Sequence, residues 1–555
     1  MSMTRMPIRM PMTAVKNLVA RGLTRRDLAR GLMGATAAVL LATASPVLAA
    51  TPKDTLVLAW AIDDIITLDP AESFEISAGE IMGNAYDRLV RFDVADPSKL
   101  YGDVAESWTV SDDGKTYTFK LRPDLKFASG NPLTAEDVAF SLQRAVKLDL
   151  SPAFILTQFG LSKDNVEEKV KKIDDLTVVI ETDKAYAPTF VLNCLTANVA
   201  AIVDKKLVLE HEKDGDLGNA WLKTNYAGSG PMKIRDWRAN EILALERNDN
   251  YYGEKAKLPR VIYRHVKESA TQRLLLEKGD VDIARNLSPE DLAAVEKNAD
   301  VAITNRPKGT IYYISLNQKN PTLAKPEVRE AMKWLVDYDA IGETLIKGIG
   351  TVHQTFLPMG LLGAIDEKPY KLDVAKAKEL LEKAGLKDGF SVTMDVRQTQ
   401  PVAGIAEAVQ RTFAQAGIKL EIIPGDGKQT LTKYRARNHD IYIGQWGADY
   451  WDPHTNADTF ARNPDNSDDA ASKPLAWRNA WDIPELTKKA DAAVLERDPA
   501  KRVEMYTELQ RDLLKTSPFV IIYQMVETAG VRKNVEDFVL GSTSDSTYVF
   551  RVSKN

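Results

Sequence analysis

Two spacings of apolar residues alternate along this chain. From Lys115 to Leu121 the residues alternate with period two, placing Tyr117, Phe119 and Leu121 on one face, which predicts a half-buried strand. A helical period follows. Thr134 with Asp137 three residues later has the form of a helix start, and Val138, Leu142 and Ala145 then share a face. Pro326 suits the first turn of another helix, whose buried stripe is Val328, Ala331, Met332 and Leu335. Asp373 predicts a further N-cap, with Val374, Ala377, Leu381 and Ala384 turned inward and Gly385 at the C-terminal end. Strands and helices mixed in this way, with no low-complexity linker between them, predict an α/β or mixed α+β protein.

The first fifty residues follow another pattern. A basic stretch (Arg5, Arg9, Lys16, Arg21, Arg25, Arg26, Arg30) precedes an apolar run from Gly31 to Ala44, and Pro46-Val47-Leu48-Ala49-Ala50 follows. That order predicts a signal peptide over residues 1–49, cleaved after Ala49 or Ala50. The apolar run is shorter than the roughly 20 residues of a membrane span. Arg25-Arg26-Asp27-Leu28 ahead of it resembles a twin-arginine export signal, with Leu28 in place of the usual phenylalanine, so the general secretory route stays open. With no cysteine near the cleavage site, a lipid anchor is not expected, and the mature protein is expected free in the periplasm.

Composition narrows the chemistry. The chain has 73 basic and 78 acidic side chains, of which residues 1–49 hold seven and one. The mature part keeps 66 against 77, a net charge of −11, which disfavours nucleic acid and anionic membrane as partners. Cys194 is the only cysteine, so no internal disulfide is expected. The five histidines are scattered without metal-ligand spacing, and no nucleophile elbow, phosphate loop or dinucleotide fingerprint appears. No catalytic residue, metal or cofactor is expected.

Seven blocks then fall in one order. They are Ala105 to Arg122 (with Glu106-Ser107-Trp108 and Asp112-Asp113-Gly114), Phe127 to Asp137, Gly228-Ser229-Gly230-Pro231, Glu246 to Tyr252, Lys278 to Ile283, Val328 to Ala331, and Asp373 to Ala377. In these blocks the chain resembles the family 5 extracellular solute-binding proteins, the dipeptide/oligopeptide-binding type of ABC-transporter receptor. The blocks themselves read as core and turn chemistry rather than ligand contacts. The resemblance implies a periplasmic binding protein-like two-lobe hinge fold of the class II, cluster C type with an extra subdomain. The expected boundaries are 54–98, 226–310 and 522–555 for a discontinuous domain I, 99–225 for domain II and 311–521 for domain III. It also implies a monomer that captures a small-molecule or peptide ligand and docks on inner-membrane permease and ATPase subunits.

One segment concentrates what a pocket needs: Ile443 to His454, with Trp446, Tyr450 and Trp451 as rigid apolar groups and Asp449 and Asp452 as fixed charges. Peptide-binding relatives have a similar Trp-x-Ala-Asp-Tyr segment, whose aspartate meets the ligand's α-ammonium. Matched residue by residue, that aspartate falls on Asp449 and the tryptophan on Trp446; Gly447, Tyr450, Trp451 and His454 are further candidate contacts, and Asp452, ahead of a proline, is expected to organise a turn. Asp452-Pro453-His454 is also similar to a segment of nickel-binding relatives, so His454 stands as an alternative contact to a metal chelate. Ile443 sits where some oligopeptide receptors have arginine; Arg397 and Arg435, which flank predicted domain III strands, are candidates to meet a ligand carboxylate in its place. The leading expectation is a receptor for a short peptide or other amine-bearing solute. A metal chelate, an opine or an oligosaccharide is the alternative within the class. A Tat-exported hydrolase, or a periplasmic chaperone or structural protein, is the alternative outside it.

Overall fold

The computed structural model describes residues 51–94, 96–470 and 472–555. The expected signal peptide and its cleavage site lie outside the described residues.

The local signals are realised by the bonds they imply. Thr134 caps the helix Ala135–Leu148 in a capping box: Asp137 Oδ2 accepts from the Thr134 N–H (2.9 Å), while the Thr134 hydroxyl accepts in return. Val138, Leu142 and Ala145 are buried on its inner face. Pro326 opens the helix Pro326–Trp334. Asp373 Oδ1 accepts from the Lys376 N–H (2.8 Å) at the start of Val374–Lys383, and Gly385 follows with φ +75°. The period-two stretch is the strand Thr116–Leu121, with Tyr117, Phe119 and Leu121 inward. Trp108, on the neighbouring strand, is only half-buried.

The strands assemble into one long mixed sheet and a separate four-stranded antiparallel sheet. One end of the long sheet carries Thr55–Trp60, Arg260–His265, Ile242–Arg247 and Met232–Arg238, with Ile283–Ala284 beside the first of them. The other end carries Phe390–Arg397, Ile418–Gly425 and Ile441–Gly447. Two long antiparallel strands join the ends, Val301–Leu316 and Phe519–Arg532. Their pairing breaks register between Pro307 and Ile311. Each end has its own apolar core. Leu56, Leu58, Tyr263 and Ile283 pack with the C-terminal Tyr548 and Phe550 in the first lobe. Ile314, Met394, Ile441 and Phe413 lie in the core of the second. The expected boundaries near 310 and 522 fall inside the two joining strands.

The smaller sheet (order Ala105–Val110, Thr116–Leu121, Thr177–Glu181, Val170–Asp174) packs with the helix Ala135–Leu148 around its own core. Val203, Val208 and Leu222 belong instead to the first lobe's core, although they fall within the expected 99–225. A buried pair fastens subdomain to lobe: Arg144 donates through Nη1 and Nη2 to the two Asp69 oxygens (2.8 and 2.6 Å). Among the described residues no helix is long and apolar enough to cross a membrane.

Candidate functional site

The strand Ile441–Gly447 delivers the aromatic–acid segment to the junction of the lobes. Ile441 and Ile443 are held in the second lobe's core, and Gly447 lies opposite Thr310 on a joining strand. The chain then leaves the sheet through a bonded turn. Ala448 N–H donates to Gly309 O (2.8 Å), Asp449 N–H to Thr455 Oγ1 (3.1 Å) and Asp452 N–H to Tyr450 O (2.9 Å). Asp452 Oδ1 accepts from the His454 N–H (2.9 Å), and the helix His454–Phe460 begins. Position 309 needs glycine because the turn packs so closely: a Cβ there would lie 2.9 Å from the Trp451 ring.

A cleft of about 1060 Å³ opens at this junction, large enough to enclose a short peptide or similar solute. Trp60, Asp64, Glu75 and Glu290 line it from the first lobe, and Tyr312, Gln445, Trp446, Gly447 and Asp449 from the second. Lys308 to Thr310 and Met525 to Thr528 of the joining strands also line it, as do Ile155 and Asn198 of the subdomain. Tyr312 and Tyr523 stack on each other within the lining, with ring centres 4.3 Å apart.

Of the residues singled out in the sequence, Trp446, Gly447 and Asp449 line the cleft together. Tyr450, Trp451, His454 and Arg397 do not. Tyr450 is buried in the subdomain's core, where its hydroxyl donates to Gln158 Oε1 (3.1 Å) and its ring meets Phe190 edge-on. The His454 ring lies edge-on to the same Phe190, and burial holds its pKa below the ordinary value. Trp451 is buried against Gly309 and Gly360. Arg397 and Arg435 are exposed, outside the cleft. The turn thus docks on the subdomain through Tyr450 and His454, packs Trp451 in a core with Ile311, Tyr313 and Phe460, and leaves only its start facing the cleft.

The two aspartates differ sharply. Both Asp452 oxygens accept from Arg502, through Nη1 and Nη2 at 2.7 Å each, and both side chains are almost fully buried. Asp452 does organise the turn, but its larger part is this buried ion pair. Asp449 is partly buried, and among the described residues no basic side chain lies within 4 Å of it. Among the described residues its carboxylate accepts one side-chain hydrogen bond, from the Thr455 hydroxyl at 3.5 Å. Burial pushes its pKa up to about 7, the Thr455 hydrogen bond opposes the shift, and the charge of Asp458 adds to it.

Sequence reading missed the opposite wall. Asp64 comes from a loop, Glu75 is the N-cap of the helix Ile76–Ala85 and Glu290 stands in the first turn of the helix Pro289–Val295, three separate places in the chain. It also missed a buried network beneath the cleft. Arg285 pairs with Glu80 (2.9 Å) and Glu527, and Lys308 with Glu527 (3.0 Å). Among the described residues no group of three or more His, Cys, Asp or Glu side chains is placed to hold a metal ion.

Comparison with known proteins agrees with this architecture. A probable D,D-dipeptide-binding periplasmic protein, DdpA, of Escherichia coli (strain K12) is 29% identical over 517 residues, covering 92% of this chain and 96% of that protein. A dipeptide-binding protein of the same organism is 27% identical over 472 residues, covering 82% and 86%. The structure of the ABC transporter-associated periplasmic binding protein DppA from Helicobacter pylori, in complex with the peptide STSA, has the same two-lobe fold. It matches with a TM-score of 0.75 and 24% identity, over 90% of this chain and 98% of that one. Residues 99–468 match the family described as bacterial extracellular solute-binding proteins, family 5 middle. Two lobes, an added subdomain, a lined cleft at the joining strands and this match lead to one assignment: the chain belongs to the family 5 bacterial extracellular solute-binding proteins, whose members bind substrates for transport rather than transform them.

Proposed function

We propose that this protein is the periplasmic receptor of an ABC importer and captures a short peptide or other amine-bearing small solute between its lobes. The observation that carries this reading is Asp449: a partly buried carboxylate with no cationic partner among the described residues, on the wall of an interlobe cleft. An enclosed charge of this kind is costly until a counter-ion meets it with hydrogen bonds. The ligand's ammonium is that counter-ion, and Trp446 and Gly447 are its neighbours. The names of the relatives, which bind dipeptides, support the class of solute. Closure stabilises the loaded state because only then does the solute touch both walls.

The pH dependence of binding tests this directly. With Asp449 at about 7 in the free protein, an ammonium binds the ionised form only. Below that pH it must displace a proton, so affinity falls roughly tenfold per unit. Above about 8 a peptide's own α-ammonium deprotonates. Calorimetry with a dipeptide is expected to show strongest binding between about pH 7 and 8 and roughly a hundredfold weaker binding at pH 5. A flat profile from 5 to 8 contradicts the reading.

Residues 1–49 serve export in this proposal, by the twin-arginine route. Replacing Arg25 and Arg26 with Lys is expected to hold the precursor in the cytoplasm. Undiminished periplasmic protein from that double variant, measured by fractionation, would exclude the route.

A further inference from the structure

We infer that the cleft selects a solute of net positive charge, and that no protein cation meets a ligand carboxylate there; this rests on the amine reading of Asp449 and extends it to the rest of the ligand. Among the described residues the cleft lining contains two basic side chains, Arg285 and Lys308. Lys308 has no donor to spare, and all three nitrogens of Arg285 are engaged, four of its five N–H groups on the two glutamates. Lys308 Nζ has three N–H groups and three acceptors: Gly541 O (2.8 Å), Thr543 O (2.9 Å) and Glu527 Oε2 (3.0 Å). Arg285 donates through Nε and Nη2 to Glu527 and through Nη1 to Glu80, and its guanidinium lies 4.5 Å from the centre of the Trp60 ring. Pulling either onto a ligand carboxylate would strand a buried glutamate.

The acids of the lining are the reverse case. Glu527 and Asp545 have cationic partners, whereas Asp64, Glu75, Glu290 and Asp449 have none among the described residues. These four come from both lobes, so the uncompensated charge surrounds the solute rather than marking one end. Burial raises the pKa of Glu75, and the charges of Asp64 and Glu72 add to the shift. The helix starts at the wall offer no substitute anion site: Pro289–Val295 has its Asp291 N–H on Ser288 Oγ (3.2 Å) and Glu290 in its first turn. Asp64 already accepts from the Ser77 N–H (3.1 Å) in the first turn of Ile76–Ala85, and the helix Ser269–Lys278 begins at Glu268 with Asp291 on the Ser269 hydroxyl. The indole Nε1 of Trp446 is buried without a partner, which leaves the second lobe's wall a neutral donor and no positive charge. A zwitterionic peptide therefore brings its carboxylate into a field of like sign, made stronger by low-dielectric walls.

Blocking each end of the ligand separates the two claims. Dipeptides with one alanine and one variable residue are measured by calorimetry at pH 7.5 as free acids, as C-terminal amides and as N-acetyl acids. Amides are expected to bind at least about tenfold more tightly than their free acids, roughly 1.4 kcal/mol. Among the free acids, those with a Lys or Arg side chain are expected to bind best. N-acetyl forms should not bind. Free acids that bind as tightly as their amides, or more tightly, with the N-acetyl forms inactive, would overturn the net-charge inference and leave the amine reading standing. Binding of N-acetyl forms at full strength would overturn the amine reading itself. No binding across the whole panel, by protein shown to be folded, overturns both. Raising the affinity of the free acids by Glu75→Gln, with amide binding unchanged or weaker, supports the inference; an unchanged acid-to-amide ratio in that variant counts against it.

Discussion

Replacing Asp449 with Asn is expected to weaken binding of an amine-bearing ligand by roughly 30-fold to several thousand-fold. The substitution keeps the shape of the side chain and its reach to Thr455, and removes only the charge. Among the described residues the carboxylate has no cationic partner; in the proposed reading the ligand's ammonium meets it, and closure of the lobes would exclude the water that screens either charge. Losing one member of such a pair typically costs about 2–5 kcal/mol, mostly because the other is left enclosed and unpaired. The variant is expected to be at least as stable as the wild type when empty. In the free protein the ionised Asp449 is disfavoured by burial, and a neutral amide does not have to be desolvated as an ion. Calorimetry for affinity and denaturant titration for the empty protein measure both outcomes.

The neighbouring acid should respond in the opposite sense. Asp452→Asn is expected to cost about 3–5 kcal/mol of stability, the usual consequence of leaving one partner of a buried pair alone. Asn can still accept from the His454 N–H, so the turn survives. What it cannot do is neutralise Arg502, which is held by Ala493 O and Thr189 Oγ1 as well and, among the described residues, has no other carboxylate in ion-pair reach. Thr189 belongs to the subdomain, so the damage should reach the docking of the second lobe on it. Affinity of the protein that remains folded should fall far less than in Asp449→Asn, because Asp452 does not line the cleft. Denaturant unfolding of the ligand-free variant measures the loss, and stability equal to the wild type would contradict it.

How far the sequence reached follows from the range of each interaction. The helices Ala135–Leu148, Pro326–Trp334 and Val374–Lys383 are legible because a cap, a proline or a stripe fixes them within a few residues. The two joining strands are not legible, because each pairs with a partner some two hundred residues away and neither has a clean alternation. At the site, Trp446, Gly447 and Asp449 are on the cleft wall, but Tyr450, Trp451 and His454, only a few residues on, face the core. A tight turn reverses side-chain direction residue by residue, and spacing along the chain gives no guide to it. Asp64 in a loop and Glu75 and Glu290 at helix starts are ordinary surface acids in the sequence until the fold sets them around one space. The pairing of Arg285 and Lys308 is equally a tertiary fact, and it decides the charge of the cleft.

The central claim, that Asp449 meets the ligand's amine between the lobes, is tested most directly by a complete cycle. Affinities of a dipeptide amide and its N-acetyl form are measured by calorimetry against wild type and Asp449→Asn at pH 7.5. The account predicts a coupling of at least about 2 kcal/mol between the carboxylate and the amine: acetylation should nearly abolish binding to the wild type and matter little to the variant. A coupling near zero, with the variant binding the amine as tightly as the wild type, would contradict it.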